Sequence, residues 1–241
     1  MPQDAESIRD SLDLLSKKWT IDPKLYDLQL GQRGDVEDSP VNIGGVIFHI
    51  PILKQDGLYV LWKCLWPDCH NCCDRQGRLP LTKDDIRKLS AKLGYNAQPE
   101  FLKNETLISS WEEQATMQGL ITTLTMISLK RKADEKPEQD GVPISCRFLD
   151  EEGACMVHPD KPGVCWLYPF ASWLEVDSRG QPVVHASFQF TGDCPGFYLD
   201  ESIDSVMPVL TEYSARIYDY NMAVSRTTRE KYGAVTFTRT G

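Results

Sequence analysis

Along the first twenty residues the apolar positions fall at helical spacing. Ile8, Leu12, Leu15 and Trp19 are separated by four, three and four residues, which lines them up as one stripe and predicts a helix over residues 4–19. GQRGDVEDSP (31–40) follows with turn residues and acids and reads as a connection. VNIGGVIFHIPIL (41–53) and GLYVLWKCLW (57–66) then become β-branched and aromatic, predicting two strands joined at Asp56-Gly57. Gly44-Gly45 lies inside the first of these strand patterns and reads as a bulge.

In LPLTKDDIRKLSAKLGYN (79–96), Thr82 and Asp85 make a capping box, Ile86, Leu89 and Leu93 form the buried face, and Gly94 is the stop. Residues 97–117 read as a further helix, and GLITTLTMISLKRK (119–132) as a strand. The basic SLKRK (128–132) at its end reads as solvated, and ADEKPEQDGVP (133–143) as a mobile loop. ISCRFLDEEGACMVH (144–158) predicts a hairpin turning at Asp150 to Gly153. ASWLEVDSRGQPVVHASFQF (171–190) predicts another, turning at Ser178 to Gly180. A helix over about 204–226 closes the pattern, burying Met207, Leu210, Ile217 and Met222, with Pro208 tolerable only in its first turn. The fold class is therefore α+β: small antiparallel hairpins and flanking helices around a cysteine-rich metal site. A single domain over 1–241 is expected, with a cysteine region at about 64–196, an N-terminal helix and strands over 1–63, and the C-terminal helix.

Composition narrows the function. With 241 residues and 41% hydrophobic content, the chain buries an ordinary core without covalent staples. A formal net charge of −9 repels phosphate backbones and anionic lipid heads, so neither nucleic acid nor membrane is an expected partner. A protein or small-molecule partner stays open. The N-terminus shows no continuous apolar run and no stretch has the length of a membrane span, so the expected location is the cytoplasm. Thiols stay reduced there, and eight cysteines then argue for metal more than for disulfides.

CLWPDCHNCC (64–73) places Cys64, Cys69, Cys72 and Cys73 within ten positions. Cys69-x2-Cys72 lets a tight turn aim two sulfurs at one centre. Cys72 and Cys73 are adjacent, so they serve one metal only if the chain turns sharply between them; otherwise there are two centres, or one thiol is spare. Cys146, Cys155, Cys165 and Cys194 follow at intervals too long for a knuckle, and hairpins would have to bring them in. Four plus four thiols suit two tetrahedral sites, or one cluster with supporting thiols, and spacing alone leaves this open. His70 and His158 are alternative ligands with an ordinary reading as supporting or exposed side chains; His49 and His185 fall in strands and read as structural. Asp74 could pair with another carboxylate for acid–base work, while Asp150, Glu151 and Glu152 read as a solvated turn. Trp62, Trp66, Trp166, Tyr168, Phe170 and Trp173 flank the cysteines, and their expected role is to exclude solvent from the metal.

CLWPDCHNCC, LTKDDIRKL, CRFLDEEGACMVHPDKPGVCWLYPF and GDCPG, in that order over about 64–196, resemble the CxxCxxCC cysteine-cluster family (YkgJ-like), described as zinc- or iron-chelating proteins. Three positions depart from the family pattern: the x4 gap between Cys64 and Cys69, Lys161 where the family favours Arg, and Trp166 where an Arg is common. The last two remove guanidinium groups that would neutralise a thiolate-rich site. The family includes flagellin lysine methylases, similar only in the cysteine region, and the resemblance implies an iron–sulfur cluster, such as 4Fe-4S, in at least some members. No Gly-rich strand–turn–helix signature for S-adenosylmethionine is present. The expectation is a cysteine-held iron–sulfur cluster, with zinc as the alternative. Whether the chain is an enzyme using the cluster for group transfer or redox, or a zinc-stabilised binding or assembly module, stays open at this level.

Overall fold

The structure is a computed structural model and describes residues 5–75, 79–115, 120–135 and 145–232. In chain order the first elements are α1 (Ala5–Ser16), α2 (Pro23–Gln29), β1 (Val36–Ile43), β2 (Val46–Leu53), β3 (Leu58–Trp62) and α3 (Asn71–Arg75). Next come β4 (Leu79–Pro80), α4 (Lys83–Lys92), α5 (Gln98–Glu105), β5 (Thr106–Ala115), β6 (Leu120–Leu129) and α6 (Lys132–Glu135). The last are α7 (Gly163–Leu167), β7 (Phe170–Val176), β8 (Pro182–Phe188), β9 (Phe197–Asp200) and α8 (Met207–Tyr232). Helices and two sheets together make the fold α+β. The chain divides into two compact units, one of residues 1–72 and 167–241 and one of residues 73–166. Among the described residues no helix is long and apolar enough to cross a membrane.

The first unit is built on a six-stranded sheet. β1 pairs antiparallel along the whole of β2. The other edge of β2 is shared: Val46 to His49 run parallel to β8, and Ile52 and Leu53 pair antiparallel with β3. β7 joins the far side of β8, and β9 the far side of β3. Alternate residues of β2 (Val46, Phe48, Ile50) and β8 (Val184, Ala186, Phe188) are buried with Leu210 and Ile217 of α8, as the period of two requires. Met207 and Met222 are only half-buried, and the inward positions of α8 also include Ser214 and Asn221. Gly44-Gly45 is the two-residue turn between β1 and β2, not a bulge. Both glycines have positive φ, 57° and 82°, and a Cβ on Gly44 would lie 2.5 Å from Ser214 Oγ. The second half of the acidic stretch read as a connection is thus β1, whose pattern is exposed because it sits at a sheet edge.

The second unit has its own core of Leu79, Ile86, Leu89, Phe101, Leu129, Phe148, Leu149 and Val157. The α4 capping box forms as expected, with Asp85 N–H donating to Thr82 Oγ1 and Thr82 N–H to Asp85 Oδ2. The expected helix over 97–117 ends at Glu105 and continues as β5. Thr106 terminates it by turning its hydroxyl to the Leu102 carbonyl, and the TLIS run then pairs antiparallel with β6. The SLKRK segment is not solvated throughout: Ser128 and Leu129 are buried and Arg131 is only 5% exposed. Of the expected loop over 133–143, residues 133–135 belong to α6 and the rest lie outside the described residues. The hairpin expected over 144–158 shrinks to one bridge, Leu149 with Cys155, closed by Asp150 N–H to the Ala154 carbonyl.

Candidate metal centre

None of the eight cysteines is in a disulfide. In the first unit, β3 and β9 carry the first thiols together. Their ladder runs from Tyr59 and Asp200 to Trp62 and Phe197, and Lys63 N–H extends it to the Gly196 carbonyl at 3.0 Å. The next residue on one side is Cys64, and Cys194 lies two residues before Gly196. The approach is so close that a Cβ on Gly196 would overlap the Lys63 carbonyl oxygen and lie 2.9 Å from Trp62 Nε1. That indole N–H donates to Cys194 Sγ at 3.2 Å.

The loop after Cys64 folds back with Cys69 N–H on the Leu65 carbonyl. Asn71 Nδ2 then donates to the Asp193 carbonyl at 2.9 Å, which sets the start of α3 against the residue before Cys194. Asp193 is itself buried and accepts from the Tyr168 and Thr191 hydroxyls. Burial pushes the Cys69 thiol up, and the Cys64 and Asp193 charges add to this, while the Asn71 N–H and Lys18 oppose it. Cys194 is pushed up to about 12, chiefly by burial, against the pull of the Gly196 N–H and the Trp62 indole. Burial also raises the Tyr213 hydroxyl on α8, and the thiols of Cys64 and Cys72 both contribute. The Lys63–Gly196 and Asn71–Asp193 bonds bring the segments that carry Cys64, Cys69 and Cys72 to the chain around Cys194.

The second unit gathers the other four. Cys146 N–H donates to the Cys73 carbonyl at 2.7 Å, and the buried Arg131 guanidinium donates to the same oxygen at 3.1 Å. Arg131 also forms a bridge with Cys146, and Cys155 forms one with Leu149. Cys165 arrives on α7, whose first residue Gly163 donates its N–H to Asp85 Oδ1 at 2.8 Å. The carboxylate that caps α4 therefore also positions α7. Cys146 is part of the apolar core of this unit, with Cys73, Cys155 and Cys165 packed against it. Burial is the first cause raising Cys146, Cys155 and Cys165. Their mutual charges and that of Cys73 add to the rise, and Arg131 and Lys161 offset part of it.

A family model described as "Putative zinc- or iron-chelating domain", CxxCxxCC, matches residues 63–191, more than half of the chain. The chain belongs to the CxxCxxCC family. No curated protein and no solved structure matches it. The CxxCxxCC match covers seven of the eight cysteines and ends just short of Cys194. Within the matched segment, Lys161 Nζ sits 3.8 Å from the centre of the Trp166 ring. The pair keeps one cation beside Cys155 and Cys165.

Thiolates are soft donors, so the donor chemistry suits either zinc or an iron–sulfur cluster. Among the described residues, no three His, Cys, Asp or Glu side chains stand close enough together to hold a metal ion. A metal held by these thiols would need them closer together than the structure has them. Of the aromatics expected to exclude solvent, Trp62 and Phe170 are buried in the first unit, but Trp66 is 59% exposed. Trp173 lies parallel to His49 and His185 on the sheet instead. His158 packs against Trp166, and Asp150 accepts from Ala154 N–H within its turn. Sequence reasoning missed Arg131, Asp193 and Gly196. Gly196 had a readable signal, a glycine closing GDCPG; the other two are polar residues whose burial depends on distant segments.

Proposed function

We propose that this chain holds iron–sulfur through its cysteines, with the ligands drawn from Cys64, Cys69, Cys72, Cys73, Cys146, Cys155, Cys165 and Cys194. The observation that carries the reading is the packing of Cys73, Cys155 and Cys165 against buried Cys146 in one unit, with no disulfide among the eight cysteines. An all-thiol donor set in apolar surroundings suits an iron–sulfur cluster, whose stability and potential depend on exclusion of solvent. The zinc reading, a binding or assembly module with metal as a staple, draws on Cys146 and its neighbours being part of the second unit's core. Anaerobic purification separates them. A brown protein with broad visible absorbance and acid-labile sulfide supports the cluster; a colourless protein with stoichiometric zinc overturns it. Reversible bleaching by a reductant would give the cluster a redox role.

A further inference from the structure

We infer that the eight thiols make two metal centres that load independently, one from Cys64, Cys69, Cys72 and Cys194 and the other from Cys73, Cys146, Cys155 and Cys165. This deepens the metal-holding reading above and rests on it. The division between the two compact units falls between Cys72 and Cys73, and each unit then contains four cysteines. Both residues are on α3, where consecutive side chains diverge by about 100°. Adjacent thiols on a helix are poorly placed for one ion and well placed for two.

Each group has its own means of assembly. The first hangs on the β3–β9 ladder, the Trp62 bond to Cys194 and the Asn71 bond to Asp193. The second hangs on the Cys146 bond to Cys73, the Arg131 bond to the same carbonyl and the Asp85 bond that starts α7. Charge differs as well. Four thiolates around a dipositive centre leave two negative charges over, and the second group has two cations near its thiols, Arg131 and Lys161. The first has Lys18 near Cys69, but also the buried Asp193. The second centre is therefore the better neutralised and should release its metal to a chelator more slowly.

The test uses the full chain, with metal content and hydrogen exchange measured for wild type, Cys72→Ser, Cys73→Ser and Cys155→Ser. Half-buried Cys155 stands in for Cys146, whose replacement in the core risks misfolding. Each variant is expected to keep about half of the wild-type metal. Cys73→Ser and Cys155→Ser should lose protection over 145–166 and keep it at 64–72; Cys72→Ser should do the reverse. Loss of all metal in any single variant, or none in Cys73→Ser, would overturn the division while leaving metal binding in place. Wild-type protein that takes up neither iron nor zinc would overturn the underlying reading instead.

Discussion

The two cysteine groups differ in what holds their thiols when metal is absent. The first is attached to a large sheet: Trp62, Phe197 and Gly196 belong to or extend a ladder that packs without any metal. The second is embedded in a small core, where Cys146 is itself a buried apolar residue and the 145–166 segment has two isolated bridges instead of strands. Metal at the first group would therefore add to a frame that already exists, whereas metal at the second would supply part of the frame. Two such sites in one chain would differ in origin, one borrowed from a sheet and one built into a core.

The strongest way to break the comparison is to destroy the frame at the first group. Gly196→Ala puts a methyl against the Lys63 carbonyl and should cost roughly 3 kcal/mol by overpacking. Denaturant melts should show that loss, and metal content should fall at the first group alone. A variant as stable as wild type would mean that β3 and β9 do not approach so closely. Arg131→Met attacks the second group: it removes the charged donor to the Cys73 carbonyl and should cost about 2 kcal/mol. Proteolysis of the 145–166 segment should accelerate in this variant, and an unchanged cleavage rate would count against Arg131 as its organiser.

Trp62→Phe is a finer probe. It keeps most of the packing and deletes the N–H bond to Cys194, so the expected cost is about 1 kcal/mol. Metal should leave the first group faster while retention at the second stays the same. Chelation of wild type should then be partial in its effect, with exchange protection lost over 64–74 and 146–166 but kept in β2 and α8. Global cooperative unfolding would show that metal staples the whole fold.

The smallest expected effect concerns acid. His49 and His185 share a hydrogen bond of 2.9 Å, with Asp38 on the outer nitrogen of His49 and Glu175 3.7 Å from that of His185. Burial, the first cause, and the His49 charge lower the pKa of His185, while Glu175 opposes them. The folded state therefore binds fewer protons than the unfolded one. Its contribution to stability is full above the ordinary histidine value of about 6.5 and is lost as pH falls through the lowered value. Metal-free protein should lose first-unit stability modestly as pH falls below about 6.5, and His185→Asn should flatten that slope. An equal slope in the variant would assign the effect to other groups.

Local signals were legible wherever neighbours in sequence are neighbours in space. The Thr82–Asp85 capping box, the turn at Gly180 and the stripe of Leu12 and Leu15 all formed as read, because each depends on contacts within a few residues. The 97–117 segment misled because β5 exists by pairing with β6, and the two-residue turn at Gly44-Gly45 is recognisable only once β1 has a partner. The thiols themselves, their softness and their family were written in the sequence, since ligand chemistry belongs to residue type and spacing. Their division into two sets was not. It depends on a three-dimensional boundary falling between Cys72 and Cys73, and on Cys194 and Cys146 returning from far along the chain to different partners. Only long-range backbone pairing and burial decide such returns.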